Sequence, residues 1–340
     1  MSDIARLAGV SMSTVSRALS GSVLVNDETR KRIEELAGSL NYSVNVSAKN
    51  LRLQQNRTIA VVVPYDADTR QNVSDPFFLS MLGSIADALS ELGYEMLFSR
   101  IDASRLDLAA QFCDSGRACG VILIGQWHHH DQLNGLAARH VPIVVWGAQL
   151  PQQLYTTVGC DNRAGGLLAT SHLLSLGRRR IAFFGDRNLP ESAQRHEGYL
   201  LALAKKHVVP DPQLSLPVTF VAESARAAVK NLIGQNIAFD SIFACSDLLA
   251  MTAISTLNEL GRRVPEDVSV VGYDDIAIAA YLHPPLTTIR QSIDQGGRTL
   301  VETLLALVAG ERQRPKLLEA ELIVRGTTRQ LRATSVGRPR

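Results

Sequence analysis

The sequence predicts two fold classes in one chain: a small all-α helix-turn-helix unit, then an α/β body of two lobes, each built on a doubly wound parallel sheet. Three observations predict it. The first 19 residues read as two short helices about a glycine, and from Thr58 onward short β-branched apolar runs alternate with helical stretches. At 340 residues the chain also exceeds one ordinary domain.

The first helix runs from Asp3 with Ile4, Leu7 and Ala8 on one face, and the second carries Val15, Ala18 and Leu19. Gly9 supplies the positive φ that ends the first helix, and Ser11 caps the next by accepting an amide hydrogen left free at its start. Met12, Ser13, Ser16 and Arg17 then point outward. Short polar residues at the start of an exposed second helix are what a major groove admits, and Arg17 can reach a guanine edge or a phosphate. An ordinary helical hairpin with a solvated face stays open as the alternative.

Asn26 caps a third helix with Asp27 and Glu28 at its positive end and Ile33, Leu36, Ala37 and Leu40 as its stripe. The three helices close a domain over residues 1–42. Residues 43–57 are polar with little core of their own, and read as a linker that orders only against a partner. Net charge is +2 overall. Before Thr58, however, eight basic residues (Arg6, Arg17, Arg30, Lys31, Arg32, Lys49, Arg52, Arg57) face five acids, which puts phosphate affinity at the N-terminus.

Residues 58–340 form the body. Strands are expected at 59–63, 95–98, 120–124, 142–146, 181–184, 241–244 and 268–271, with helices such as 77–92 and 165–176 between them. In such sheets ligands bind beyond the carboxyl ends of the strands, so a cleft between the lobes is the expected site. Its lining reads as Asp75, Phe77, Phe78, Trp127, Trp146, Asp161, Arg195, Phe220, Ser246 and Asp247, then Asp274 and Asp275. Aromatic faces stack on C–H surfaces while carboxylates and an arginine take hydrogen bonds from hydroxyls, a mixture that fits a sugar. For Trp127 and Trp146, core packing is the competing role.

Nothing argues for catalysis, since no glycine-rich phosphate loop follows the first strand and no Gly-x-Ser-x-Gly elbow occurs. No cofactor and no metal are expected. His128, His129 and His130 point in different directions from a loop and read as a solvated run. Cys113, Cys119, Cys160 and Cys245 lack metal-ligand spacing and read as buried thiols. The start is polar and no apolar run approaches membrane-spanning length, so a cytoplasmic protein is expected, without a membrane partner.

Over nearly its full length the chain resembles the lactose-repressor (LacI/GalR) family of bacterial transcription regulators. The likeness is carried by the run from Asp3 to Leu19, by Val25-Asn-Asp-Glu-Thr-Arg30 and Leu40-Asn-Tyr-Ser, and by Asp75-Pro-Phe-Phe78 and Arg195-His-Glu-Gly198. It continues in Arg263-Val-Pro-Glu-Asp-Val-Ser-Val-Val-Gly-Tyr-Asp-Asp275, Pro285-Leu-Thr-Thr-Ile289 and Arg325-Gly-Thr-Thr-Arg329. The resemblance implies a periplasmic-binding-protein-like body and a homodimer on a pseudo-palindromic operator. It implies that Met12 and Ser13 read bases, that Arg17 adds a groove contact, and that Ser11, Thr14, Ser16, Asn26, Thr29 and Tyr42 mostly contact phosphates. The linker corresponds to a hinge helix with Ala48 and Leu51 facing the minor groove, where paired Leu51 side chains wedge into a base step. Arg195 and Asp274 match the family's most regular ligand contacts, and Phe77 or Phe78, Phe220 and Ser246 match neighbouring positions.

Three features depart from the family pattern: only Met1 and Ser2 precede Asp3, so Ser2 becomes a candidate cap; the hinge proline is Val44; and the tail 330–340 carries no leucine heptad, which implies a dimer. The expected function is a repressor of carbohydrate-utilisation genes, released from DNA by a mono- or disaccharide. A purine or other corepressor is the alternative within the family. A periplasmic sugar-binding protein, or an α/β enzyme with an appended binding domain, are the alternatives outside it.

Overall fold

The computed structural model describes residues 1–19, 22, 24–40, 56–66 and 71–330. Contacts divide the chain into a first unit, Met1–Asn56, and a second, Arg57–Arg340. The hinge positions Val44, Ala48 and Leu51, together with Tyr42 and the tail beyond Gln330, lie outside the described residues.

The first unit holds α1 (Ser2–Ala8), α2 (Met12–Leu19) and α3 (Asp27–Ser39). Gly9 ends α1 at φ 66°, the left-handed region where a side chain costs about 1–2 kcal/mol. Ser11 precedes α2, and its Oγ accepts from the Thr14 amide at 3.2 Å. Asn26 caps α3, its Oδ1 accepting from the Thr29 amide at 2.8 Å. The core is small: Ile4, Ala5 and Ala8 meet Val15, Ala18, Val25, Ile33 and Ala37.

Three local expectations are corrected. Ala5, not Leu7, completes the α1 stripe; Leu7 is 56% exposed, because the two alanines let α3 approach closely and leave Leu7 at the margin. Leu40, just past the end of α3, is exposed as well. Ser2 is the first residue inside α1, so Met1 holds the cap position and no side chain caps the helix.

The second unit begins with a lobe in which β1 (Thr58–Tyr65), β2 (Glu95–Asp102), β3 (Gly120–Ile124), β4 (Ile143–Trp146) and β5 (Thr156–Cys160) are connected mainly through α4 (Pro76–Glu91), α5 (Ala110–Asp114) and α6 (His130–Ala138). The chain then crosses to a second lobe. That lobe contains α7 (Asn162–Ser175), β6 (Ile181–Phe184), α8 (Pro190–Lys205), β7 (Ser215–Leu216), α9 (Ala222–Gly234), β8 (Ser241–Ala244), α10 (Asp247–Glu259), β9 (Ser269–Asp274) and β10 (Thr287–Arg290). Helix α11 (Ile293–Val308) and β11 (Lys316–Leu318) return to the first lobe, and β12 (Glu321–Ile323) crosses once more.

The strand orders are β11-β5-β4-β3-β1-β2 and β12-β10-β9-β8-β6-β7. All pairings are parallel except β10 with β12. Helices cover both faces of each sheet, as the near-continuous apolar strands require. In the first lobe α4 and α11 pack on one face, burying Ile59, Val61 and Val63 against Met81, Ile85, Leu300 and Leu304, while Ala60 and Val62 face Leu106 and Leu133 on the other. Full burial of each such aliphatic side chain contributes about 1.5–3 kcal/mol.

Buried polar groups tie the second lobe together. The Arg178 guanidinium, fully buried, donates to the carbonyls of Asp240, Asp267, Pro265 and Arg329, so one side chain holds three segments of chain without a carboxylate. Strands β5, β7, β10, β11 and β12 add to the seven expected. No helix among the described residues is long and apolar enough to cross a membrane.

Candidate functional site

Two surfaces carry the residues singled out by the sequence. On the first unit, Met12 is 54% exposed and Ser11, Ser13 and Arg17 are exposed beside it, with Thr14 and Ser16 partly covered. The Ser11 Oγ lies 2.7 Å from Ser13 Oγ and 2.9 Å from Thr14 Oγ1, so the three hydroxyls form one polar cluster at the start of α2. Asn26 and Thr29 stand at the start of α3, joined by the cap bond. Two of the cations counted in this segment are engaged in the fold. Arg30 donates to the Ser22 and Val25 carbonyls, and Arg32 donates to the Ala8 carbonyl at the end of α1. Tyr42, Ala48 and Leu51 are outside the described residues.

The second surface is the cleft between the two lobes of the body. It encloses about 100 Å³ and is lined by nine of the twelve residues expected there: Asp75, Phe77, Phe78, Trp127, Trp146, Arg195, Phe220, Ser246 and Asp274. Asp161 is not among them. Its carboxylate accepts from the Ala164 amide at 2.9 Å and caps α7, because the crossover after β5 must start a helix there. Its neighbour Asn162 is the residue tied to the cleft.

Arg195 sits at the centre, on α8 and only 5% exposed. Its Nε donates to Asn162 Oδ1 at 2.8 Å, its Nη1 to the Cys245 carbonyl at 2.5 Å, and its guanidinium lies 3.7 Å from the ring centroid of Tyr273. Three elements thus fix one plane, which is how an arginine fork becomes a directional donor. Asp274 ends β9 at φ 120°, 6% exposed, and accepts from Gln291 Nε2 at 2.5 Å. Burial pushes its carboxyl well above the ordinary range, with the charges of Asp247 and Asp75 acting in the same sense and Arg195 opposing.

Asp75 caps α4 by accepting from the Phe77 amide at 3.0 Å, and burial raises its pKa too. Phe77 packs against the cores of both lobes, with its ring 5.6 Å from Phe78 and 6.4 Å from Trp146. Trp146 serves both roles considered for it: it lines the cleft and packs in the first-lobe core. Trp127 lines the cleft at φ 52°, 8% exposed. Ser246 caps α10, accepting from the Leu249 amide at 3.3 Å.

The neighbouring carboxylates Asp247 and Asp275 are structural. Asp247 is fully buried and accepts from Thr288 Oγ1 at 2.5 Å and the Ile276 amide at 2.9 Å. Asp275 pairs with Arg290 at 2.8 Å and Arg325 at 2.6 Å. The histidine run is also more engaged than expected: His128 Nδ1 lies 2.9 Å from the Asn188 carbonyl of the other lobe, and His130 Nδ1 lies 3.0 Å from the Tyr155 hydroxyl. Of the four thiols, Cys160 and Cys245 are buried, whereas Cys113 and Cys119 are half-buried.

Sequence reasoning missed Gln71, Gln126, Glu191 and Gln291, all of which line the cleft. Gln126 lies two residues past the end of β3, Gln291 directly follows β10, and Glu191 is in the first turn of the helix after β6. The rule of strand carboxyl ends, applied to β3 and β6, points to Gln126 and Glu191; Gln291 follows a strand that the sequence did not announce, and Gln71 carries no such signal. Gln126 has its amide engaged, donating to the Ala148 carbonyl and the Tyr155 hydroxyl and accepting from the Ala148 amide.

Comparison with known proteins matches both parts of the chain. Residues 1–45 match the bacterial regulatory proteins of the lacI family, and residues 170–328 match a periplasmic binding protein-like domain. The HTH-type transcriptional regulator CelR of Thermobifida fusca is 34% identical over 95% of this chain and 96% of its own. A solved CelR–cellobiose complex superposes with a TM-score of 0.70 at 32% identity, over 95% of this chain and 98% of that one. The Lac repressor dimer bound to operator and the anti-inducer ONPF superposes with a TM-score of 0.86 at 26% identity, over 96% and 98% of the two chains. With a head that matches the family over residues 1–45 and a relative of this identity along nearly its whole length, the chain belongs to the lacI family of bacterial regulatory proteins.

Proposed function

We propose that this protein is a homodimeric, cytoplasmic transcriptional repressor of carbohydrate-utilisation genes, whose hold on a pseudo-palindromic operator is released by a small sugar. Residues 1–42 are the DNA-binding head, 43–57 the hinge and 58–340 the effector-binding and dimerising body. Met12 and Ser13 read bases, Arg17 adds a groove contact, and Ser11, Thr14, Ser16, Asn26 and Thr29 hold phosphates. The cleft performs no chemical step. It binds the effector, and the linkage runs through the relative placement of the lobes.

The observation that carries the sugar reading is the pairing of Arg195 and Asp274, fixed donor and fixed acceptor, between the aromatic faces of Phe77, Trp127, Trp146 and Phe220. Hydroxyls satisfy both charged groups while the rings cover the C–H face. The CelR–cellobiose complex shows this fold accepting a disaccharide in a relative. Calorimetric titration of the full chain with cellobiose, glucose, ribose, adenine and hypoxanthine tests the assignment. A sugar is expected to bind both the full chain and residues 58–340, while only the full chain retards operator DNA. A purine that tightens operator binding, with no sugar bound, overturns it.

A further inference from the structure

We propose that Glu191 makes the cleft selective for uncharged sugars against uronates and sugar phosphates, by adding a third carboxyl to Asp75 and Asp274 around the single guanidinium of Arg195. The inference rests on the sugar reading of the cleft and names the class of sugar.

The charge inventory is lopsided. Among the described residues lining the cleft, Arg195 is the one cation, against the carboxyls of Asp75, Glu191 and Asp274. That cation is already largely engaged. Asn162 and the Cys245 carbonyl take two of its nitrogens and the Tyr273 ring covers its face. The carboxyls, by contrast, come from three separate elements: the cap of α4, the first turn of α8 and the end of β9. No single local requirement explains their convergence. Asp75 has a capping duty and Asp274 a glutamine partner. Glu191 receives no side-chain hydrogen bond from any described residue; the amides of Glu191 and Gln126 and the charges of Arg195 and His128 are what favour its ionised form.

Burial raises the pKa of all three carboxyls, so the enclosure already resists the negative charge it holds. An anionic sugar adds its charge beside three carboxyls and one guanidinium that is already engaged, and like charges held close in a partly enclosed site repel. It binds only by taking up a proton or by opening the lobes. A neutral sugar meets the opposite condition: carboxylates accept from its hydroxyls, and Arg195 donates to a ring or hydroxyl oxygen. Rejection by an unmatched charge is a common way for a site to discriminate ligands that share one skeleton.

The test is isothermal titration of the full chain with pairs that keep the ring and differ in charge at C6: glucose against glucuronate and glucose 6-phosphate, and cellobiose against cellobiose 6′-phosphate. In the wild type the neutral member should bind at least about tenfold tighter than its anion. In Glu191→Gln, and in Glu191→Ala as a second variant with a different shape, that ratio should fall at least threefold. An anion that binds as tightly as its neutral parent overturns the inference and leaves the sugar reading standing. A ratio unchanged in both folded variants removes Glu191 as its source and overturns the inference too. Binding by no sugar, neutral or anionic, overturns the sugar reading and the inference with it.

Discussion

The Arg195 guanidinium lies 3.7 Å from the Tyr273 ring centroid, in a pocket where its Nε and Nη1 are held by Asn162 and the Cys245 carbonyl. The arginine belongs to α8 and the tyrosine to β9, so the packed interior of the second lobe, not the ligand, sets the direction of the donor. Arg195→Lys removes the planar fork while keeping the charge. Sugar affinity should fall by roughly 100-fold, the worth of one or two charge-assisted hydrogen bonds. Operator binding without sugar should persist, as read by anisotropy.

Gly296, in the first turn of α11, carries a second prediction. A Cβ there would stand 2.6 Å from Cζ3 of Trp146. Gly296→Ala must therefore displace a ring that lines the cleft, at a cost of about 1–3 kcal/mol typical of overpacking. Thermal stability should drop and sugar affinity should weaken several-fold, although residue 296 does not itself line the cleft.

Asp247 predicts a pH dependence. Burial raises its pKa from 3.8 to about 7, so the folded chain keeps a proton that the unfolded chain releases. The stability this group contributes is complete below about pH 4 and is lost as pH rises toward about 7. Asp267, lowered to about 2 chiefly by its hydrogen bond with Arg263, acts only below that window. His172 and His196, held below 6.5 by burial, act in the opposite sense, losing stability on acidification. The difference between Asp247→Asn and wild type isolates the carboxyl: the melting temperature of D247N should gain on wild type from about pH 5 to about pH 7 and level off above.

Gly9→Ala tests the head. Nothing lies within 4 Å of the added Cβ, so the whole effect is the backbone strain of φ 66°, about 1–2 kcal/mol. For a core this small, specific DNA binding should weaken and the first melting transition should move down. Sugar binding by the body should be unchanged in the same preparation.

The alternation of strands and helices was legible because the inner strands are fully buried and correspondingly apolar, as in Ile59 to Val63. Strands β5 and β10 were not, since they begin Thr-Thr, and polar residues read as surface. Here they are core: Thr288 is buried because its hydroxyl donates to the buried Asp247. The three-residue strands β11 and β12 have no pattern to read at all. In the cleft, aromatics and charges after the expected strands were visible one by one. Asp161 and Asn162 exchanged roles because the helix cap and the arginine partner are adjacent in sequence. Glu191 meets Asp75 only across the two lobes, and that meeting is not encoded in local spacing.

In the proposed function, a ligand in the body governs the grip of α2 on DNA. Fluorescence anisotropy of the full chain on its own promoter, titrated with and without a saturating sugar that calorimetry has identified, tests it most directly. Saturating sugar should cost at least tenfold in operator affinity, a loss abolished in Arg195→Lys, and Arg17→Ala should weaken the specific complex throughout. An operator affinity that stays the same at saturating sugar would contradict it.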